Sequence, residues 1–341
     1  MSLYLKKINN LFYYWLVISF ALVFLMILIG GLTRLTNSGL SITEWELFRG
    51  ILPPLNQETW NKYFLLYQNI PQYKLINSSM TLDQFKIIFY WEYVHRILGR
   101  IIGLFFMIPL LYFHFKGIIN KKNILTCYLI LSLIILQGFV GWYMVESGLI
   151  NNTTVSHYRL SVHLSIAFLI ISIIFWVILN LKNNTHNYFF IKKKYNYFFY
   201  LLFILMSFQI IMGAFVSGLD AGKIYQTWPM MNYTYFPNDS IFNSLKDYLD
   251  FNNHGLVQFY HRNIAYLIFL LILTGGFVIF KKKFVRLYKS FCLLFLILLL
   301  QIFLGIFTLI TGLNINMASA HQICGLLLIL TTINLYYDYT N

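Results

Sequence analysis

Eight long apolar runs decide what this chain can become. They fall at about residues 13–32, 97–115, 124–145, 160–181, 197–219, 256–280, 290–313 and 316–337. Each comes near the roughly 20 residues that an α-helix needs to cross about 30 Å of hydrocarbon. Charged residues make up 11% of the chain and hydrophobic ones 59%, whereas soluble domains carry about 25% charged residues. The aromatic share, 19%, suits belts at the membrane–water boundary. The expected fold class is therefore an all-α membrane protein of eight transmembrane helices.

A formal charge of +14 invites a nucleic-acid reading, but its distribution argues against one. Lys6, Lys7, Lys116, Lys121, Lys122, Lys182, Lys192, Lys193, Lys194, Lys281, Lys282, Lys283, Arg286 and Lys289 all fall on one side of the expected membrane, with a single acid, Asp338. The 11 bases on the other side are matched by 10 acids. That asymmetry places both termini in the cytoplasm. It also turns the excess charge into a topology signal and a contact with anionic lipid, so no nucleic-acid partner is needed.

The opening MSLYLKKINN runs into the first apolar stretch without a small-residue cleavage site or an Arg- and Ser-rich transit segment. The stretch is expected to be retained as the first span, in a bacterial inner membrane. Cys127, Cys292 and Cys324 lie inside apolar runs, so they offer no disulfide framework. Two outer segments are long. Residues 34–94 carry Pro53-Pro54 and the amphipathic stretches WNKYFLLYQ and TLDQFKIIFYWEY, and residues 220–255 carry TWPMMNYTYFPND. They read either as interfacial helices with aromatic anchors or as a lid over a site on the outer face.

The chain also repeats itself. The third span contains Leu136-Gln137, Gly141 and Gly148-Leu149, and the seventh contains Leu300-Gln301, Gly305 and Gly312-Leu313 in the same spacing. His95-Arg96 opens the second span as His261-Arg262 opens the sixth, and His163 in the fourth corresponds to His321 in the eighth. The expected organisation is two pseudo-symmetric four-helix bundles, residues 1–182 and 183–341, in parallel repeat about an axis along the membrane normal.

His95, His163, His261 and His321 begin the four even-numbered spans, all within about 10 Å of the outer boundary at 1.5 Å rise per residue. Ionisable groups inside a membrane are costly and serve a site by default. A closed zinc site takes four ligands, and no Cys or carboxylate is duplicated with these pairs. Haem iron takes two axial ligands, often His, and helical bundles build such sites from facing helices. Propionates would need cations near the boundary, for which Arg34, Arg96, Arg100, Arg159 and Arg262 are candidates; each could equally snorkel to head groups. His114, His157, His186 and His254 read as solvated or interfacial, and Cys324, one turn after His321, as small apolar packing.

Glu92 stands three residues before His95 on nearly the same helix face, and Gln258 occupies the matching place before His261. The difference suggests that the halves have different tasks, the first reactive and the second a fixed cofactor site. An ion pair of Glu92 with Arg96 or Arg159 is the plainer alternative.

At this point GGLTRLTNSGLSITEW (30–45), EYVHRILGR (92–100), GLDAG (218–222), WPMMN (228–232), VQFYHR (257–262) and AHQ (320–322) together resemble the haem A synthase family, in order and over nearly the whole chain. The resemblance implies an enzyme that oxidises the methyl group at porphyrin position 8 of haem O to a formyl group. It further implies that His95 and His163 bracket the substrate haem, that His261 and His321 ligate the iron of haem b, and that Glu92 is the family's functionally required glutamate. Residues 34–94 hold no Cys, so the chain resembles the cysteine-free branch shared by proteobacteria and mitochondria, and a route through a loop thiol is excluded. Haem A for terminal oxidases, a haem O synthase, oxidase assembly factors and a homo-oligomer are the partners this implies. A dihaem b-type electron-transfer cytochrome, and a proton-relaying transporter with parallel repeats, are the competing classes.

Overall fold

A computed structural model describes residues 2–45, 49–119, 121–150, 152–185, 187–190, 193–238 and 242–341, without the side chains of residues 2–9, 49, 121 and 122. His186 and Lys192 lie outside the described residues, as do the side chains of Lys6, Lys7, Lys121 and Lys122. Among the described residues there are ten α-helices and no sheet: α1 Ser2–Leu35, α2 Gln57–Gln68, α3 Pro71–Leu75, α4 Leu82–Phe115, α5 Lys121–Leu149, α6 His157–Lys182, α7 Asn196–Gly218, α8 His254–Lys281, α9 Tyr288–Ile310 and α10 Ile315–Thr340. All but α2 and α3 are long and apolar enough to cross a membrane, with mean hydropathy between 1.4 and 2.9 in their most apolar stretches. Their outward faces carry exposed Ile101, Leu104 and Ile108 on α4, and Leu296, Phe303 and Ile310 on α9. Apolar surface of that extent belongs against lipid.

The second span is longer than its apolar run suggests. α4 begins at Leu82, fifteen residues before position 97, and its 34 residues extend over about 50 Å at 1.5 Å per residue. A capping box starts it. Gln84 N donates to Thr81 Oγ1 at 3.4 Å, and Thr81 N donates to Gln84 Oε1 at 2.9 Å. Both bonds satisfy amides that a helix start leaves orphaned.

The chain divides into two compact units, residues 1–178 and 179–341. In the first, α1 packs along α4, with Trp15 Nε1 donating to the Phe105 carbonyl at 3.0 Å. The outer segment has a core of its own, in which Leu40, Trp60, Tyr67, Ile70, Phe85 and Phe89 are all buried. Burying each large apolar side chain contributes roughly 1.5–3 kcal/mol. Tyr67 donates to Gln72 Oε1 at 3.0 Å and accepts from Asn77 Nδ2 at 2.7 Å, and Gln72 Nε2 donates to the Asn37 carbonyl at 3.2 Å. Burial pushes the Tyr67 phenol above its ordinary pKa, so it stays protonated as a donor well into the alkaline range. The segment is a folded cap on the N-terminal turns of α4, and its exposed Leu52, Leu55 and Leu75 suit a rim at the lipid head groups.

In the second unit α7 pairs with α8 and α9 with α10. Gly275 and Gly276 let α8 take aromatic neighbours on both sides: a Cβ there would stand 2.4 Å from the Phe198 ring and 2.2 Å from the Phe291 ring. At the end expected in the cytoplasm, Asp338 accepts from Ser290 and Asn334, and Lys193 Nζ donates to the Thr340 carbonyl at 2.6 Å. That bond caps a helix C-terminus whose carbonyls have no partner in the helix.

Candidate haem-binding sites

Each of the four histidines projects from its helix onto a glycine of a neighbouring membrane helix. A Cβ on Gly30 of α1 would stand 2.9 Å from His95 Cε1, and one on Gly141 of α5 would stand 3.0 Å from His163 Cε1. In the second unit the corresponding distances are 3.2 Å from Gly213 of α7 to His261 and 2.8 Å from Gly305 of α9 to His321. Real Cβ atoms rarely approach so closely, so glycine is what lets these imidazoles come up against a helix backbone. The glycines explain the repeated spacing seen in the third and seventh spans, and extend it to α1 and α7.

The rings fit a metal better than a self-sufficient core. The Nδ1 atoms of His95, His163 and His261 are buried with no partner among the described residues, and leaving such a group unsatisfied costs about 1–3 kcal/mol. His321 Nδ1 meets the Gln301 carbonyl at 3.2 Å, the usual arrangement for a metal-bound imidazole, which donates its other N–H to a carbonyl and keeps Nε2 for the metal. The His261 and His321 ring centres are 6.4 Å apart, with the planes crossing at 78°. Metal–imidazole bonds of about 2 Å, plus about 1 Å from nitrogen to ring centre on each side, put two axial ligands about 6 Å apart. No cluster of three or more His, Cys, Asp or Glu that could hold a metal occurs among the described residues, so the donor set offers imidazole pairs rather than a closed four-ligand site. These pairs fit an axially ligated haem.

Glu92 is 3% exposed and fully engaged. Oε1 accepts from Arg96 Nε at 3.1 Å and Arg96 Nη2 at 2.6 Å, while Oε2 accepts from Ser41 Oγ at 2.7 Å and Ile42 N at 2.9 Å. Arg96 Nη2 also donates to the Ile42 carbonyl at 2.8 Å. One carboxylate and one guanidinium thus clasp the backbone N–H and carbonyl of a single residue, Ile42. The second unit has a version without the carboxylate, in which Gln258 Nε2 and Arg262 Nη2 both donate to the Tyr225 carbonyl, at 2.8 and 3.1 Å.

The remaining arginines are spread around these clasps. Arg100 joins Arg96, Tyr63, Phe89 and Tyr93 in lining a small cleft under the cap. Arg159 donates to the Tyr143 carbonyl at 2.6 Å and lies over the Tyr143 ring, and so ties α6 to α5 rather than pairing with Glu92. Arg34 donates to Asn37 Oδ1 at 2.8 Å. His157, expected to be solvated, is buried, because its ring folds back on Tyr158 with centres 4.1 Å apart as α6 begins.

Reasoning from sequence placed Gln137 and Gln301 in the internal repeat without giving them a role, and missed Gln209. Gln209 Nε2 lies 3.3 Å from His261 Nε2, Gln301 Nε2 lies 3.4 Å from His321 Nε2, and Gln137 Nε2 donates to the His163 carbonyl at 3.0 Å. Each stands one turn before its glycine, so Gln-x-x-x-Gly in α5, α7 and α9 was the available signal.

Comparison with known proteins shows the family. A family model described as cytochrome oxidase assembly protein, COX15-CtaA, matches residues 13–333. A protein of Pelagibacter ubique named heme A synthase is 49% identical over 333 residues, covering 96% of each chain. The heme A synthase of Rickettsia prowazekii is 40% identical, covering 98% of this chain and 99% of its own, and that of Rickettsia felis is 41% identical, covering 95% and 96%.

Proposed function

This chain belongs to the COX15-CtaA family of cytochrome oxidase assembly proteins, and from that premise we propose that it is a haem A synthase, a membrane enzyme that oxidises the position-8 methyl of haem O to the formyl group of haem A for terminal oxidases. The observation that carries the reading is the set of four imidazoles, each seated on a glycine, with the second pair spaced for one iron between them. His95 and His163 hold the substrate haem in the half spanning residues 1–182. His261 and His321 hold haem b in the half spanning 183–341. Bound there, haem b supplies a one-electron redox centre.

The chain's own residues do the rest. An ionised carboxylate offers about four lone-pair sites, and Glu92 already accepts four hydrogen bonds. That favours Glu92 as a fixed negative charge, facing positive charge that develops at the methyl carbon, over a mobile base. Arg96 and Arg100 line the cleft beside it and suit the substrate propionates; Arg262 serves the second half in the same way, with Arg34 and Arg159 as outer support.

The membrane is a bacterial inner membrane with both termini in the cytoplasm, which the clustering of Lys281, Lys282, Lys283, Arg286 and Lys289 supports. Haem O arrives by handover from a haem O synthase, and haem A leaves to oxidase assembly factors, with a homo-oligomer as a further partner state. A Lys282→Cys protein in intact cells should resist an impermeant thiol reagent that modifies it in inverted membranes. Labelling from outside would reverse the topology.

The function itself is tested by extracting pigments from cells that make haem O and lack another haem A synthase. Expression of this chain should give haem A on chromatography. Protein that carries haem b, in cells whose haem O stays unconverted, would leave a dihaem electron-transfer cytochrome in its place.

A further inference from the structure

Two of the four hydrogen bonds on Glu92 come from the turn that follows α1. That helix ends in a Schellman-type reversal, in which Asn37 N donates to the Arg34 carbonyl at 3.1 Å and Ser38 N to the Thr33 carbonyl at 2.9 Å. Asn37 takes the left-handed backbone that the reversal needs, at φ 53°, a conformation asparagine tolerates better than most residues. Ser41 N then donates back to the Ser38 carbonyl at 3.3 Å. The tight turn delivers Ser41 and Ile42 together to the Glu92 carboxylate.

Ser41 is 1% exposed, and its hydroxyl has a single proton to give. Two acceptors compete for it, Glu92 Oε2 at 2.7 Å and the Ile88 carbonyl at 3.3 Å. The shorter, charge-assisted bond to Oε2 is the stronger one. Arg96 takes Oε1 through two of its nitrogens, so the Ser41 hydroxyl and the Ile42 amide set where the second oxygen points.

The second unit repeats the reversal without the hydroxyl. Gly30 precedes Asn37 by seven residues and Ile42 by twelve, and Gly213 precedes Asp220 and Tyr225 by the same intervals. Asp220 is left-handed at φ 52°, and Tyr225 takes the place of Ile42 against Gln258 and Arg262. Ser41 therefore corresponds to Ile224, as Glu92 corresponds to Gln258. The Ile224 side chain has no donor and is turned outward, 42% exposed. The hydroxyl is present where the carboxylate is, and missing where the carboxylate is missing.

We propose that Ser41 is a positioning residue for haem A formation, whose hydroxyl holds the Glu92 carboxylate in the one orientation it presents to the reaction. This rests on the reading of Glu92 as a fixed negative charge, and it adds the side chain outside α4 that fixes it.

A double-mutant cycle on Ser41 and Glu92 tests this. In the full-length protein, Ser41→Ala should lower kcat for haem A formation by about 10-fold or more, as expected for a lost hydrogen bond to a charged group, with KM for haem O unchanged. In a Glu92→Gln background the same substitution should change kcat by less than about 2-fold, because no carboxylate is left to orient. Infrared difference spectra of wild type against Glu92→Gln isolate the Glu92 carboxylate stretch without any haem bound, and Ser41→Ala should shift it. An unshifted band, a kcat within about 2-fold of wild type, or an equal loss in both backgrounds would overturn the proposal. Should Ser41→Ala fail to fold, Ser41→Cys, close in size but with a weak S–H donor, is read by the same three outcomes. A Glu92→Gln protein that makes haem A at the full rate would instead sink the reading of Glu92, and this inference with it.

Discussion

Alanine at His261 or at His321 should each cost the purified protein roughly half of its bound haem, since an iron with two axial histidines loses one and keeps a poorly seated other. The ring centres stand 6.4 Å apart, a separation at which neither imidazole can follow the iron if its opposite number is gone. The surrounding shape sharpens the effect. His321 rests on Gly305, where a Cβ would lie 2.8 Å from the ring, so alanine at 321 leaves a gap against a backbone that carries no side chain there. Gly305→Val should act in the same direction from the other side, by pushing the His321 ring off its seat. Haem content by the pyridine haemochrome method, set against protein concentration, reads both variants. His254→Ala, in the first turn of α8 and away from any glycine seat, should keep full haem. Equal haem in His254→Ala, His261→Ala and His321→Ala would remove the second pair from the site.

The sequence shows this site unevenly, and the reasons are physical. Hydropathy is a local property, so the eight spans can be read from the chain, and intramembrane histidines stand out because their desolvation is expensive. The start of α4 at Leu82 is less visible, since residues 82–96 form an amphipathic helix that leans on the cap rather than on lipid, and Trp60 and Tyr67 close on its Phe85 from outside the helix. The partners of Glu92 divide along the same line. Arg96 lies one turn away and is expected from helix geometry, whereas Ser41 and Ile42 come from fifty residues or more earlier in the chain, a distance over which pattern carries no information. Gln209 escaped notice because a polar residue in an apolar run gains meaning only when its neighbour across the helix interface is known.

Glu92→Ala should lower haem A formation by two to three orders of magnitude, about what the loss of one preorganised electrostatic group costs an enzyme, and it should also destabilise the protein. Arg96 is 13% exposed at its side chain, and removing one member of a buried ion pair typically costs about 3–5 kcal/mol. The Ser41 hydroxyl and Ile42 amide would lose their acceptor as well, freeing the cap from α4. Glu92→Gln keeps the volume but not the pairing, because either amide orientation turns an N–H toward Arg96 or toward Ser41 and Ile42. Both single variants therefore mix a structural loss with a chemical one. Glu92→Gln combined with Arg96→Leu separates them: it removes the unpaired cation and leaves a neutral amide at this position, as Gln258 does in the second unit, where the amide holds the Tyr225 carbonyl without a carboxylate. Thermal stability in detergent should recover most of the way in that double variant, while haem A formation stays about 100-fold below that of Arg96→Leu alone if the negative charge serves the reaction. Activity that returned along with stability would reduce Glu92 to a fastener of the cap.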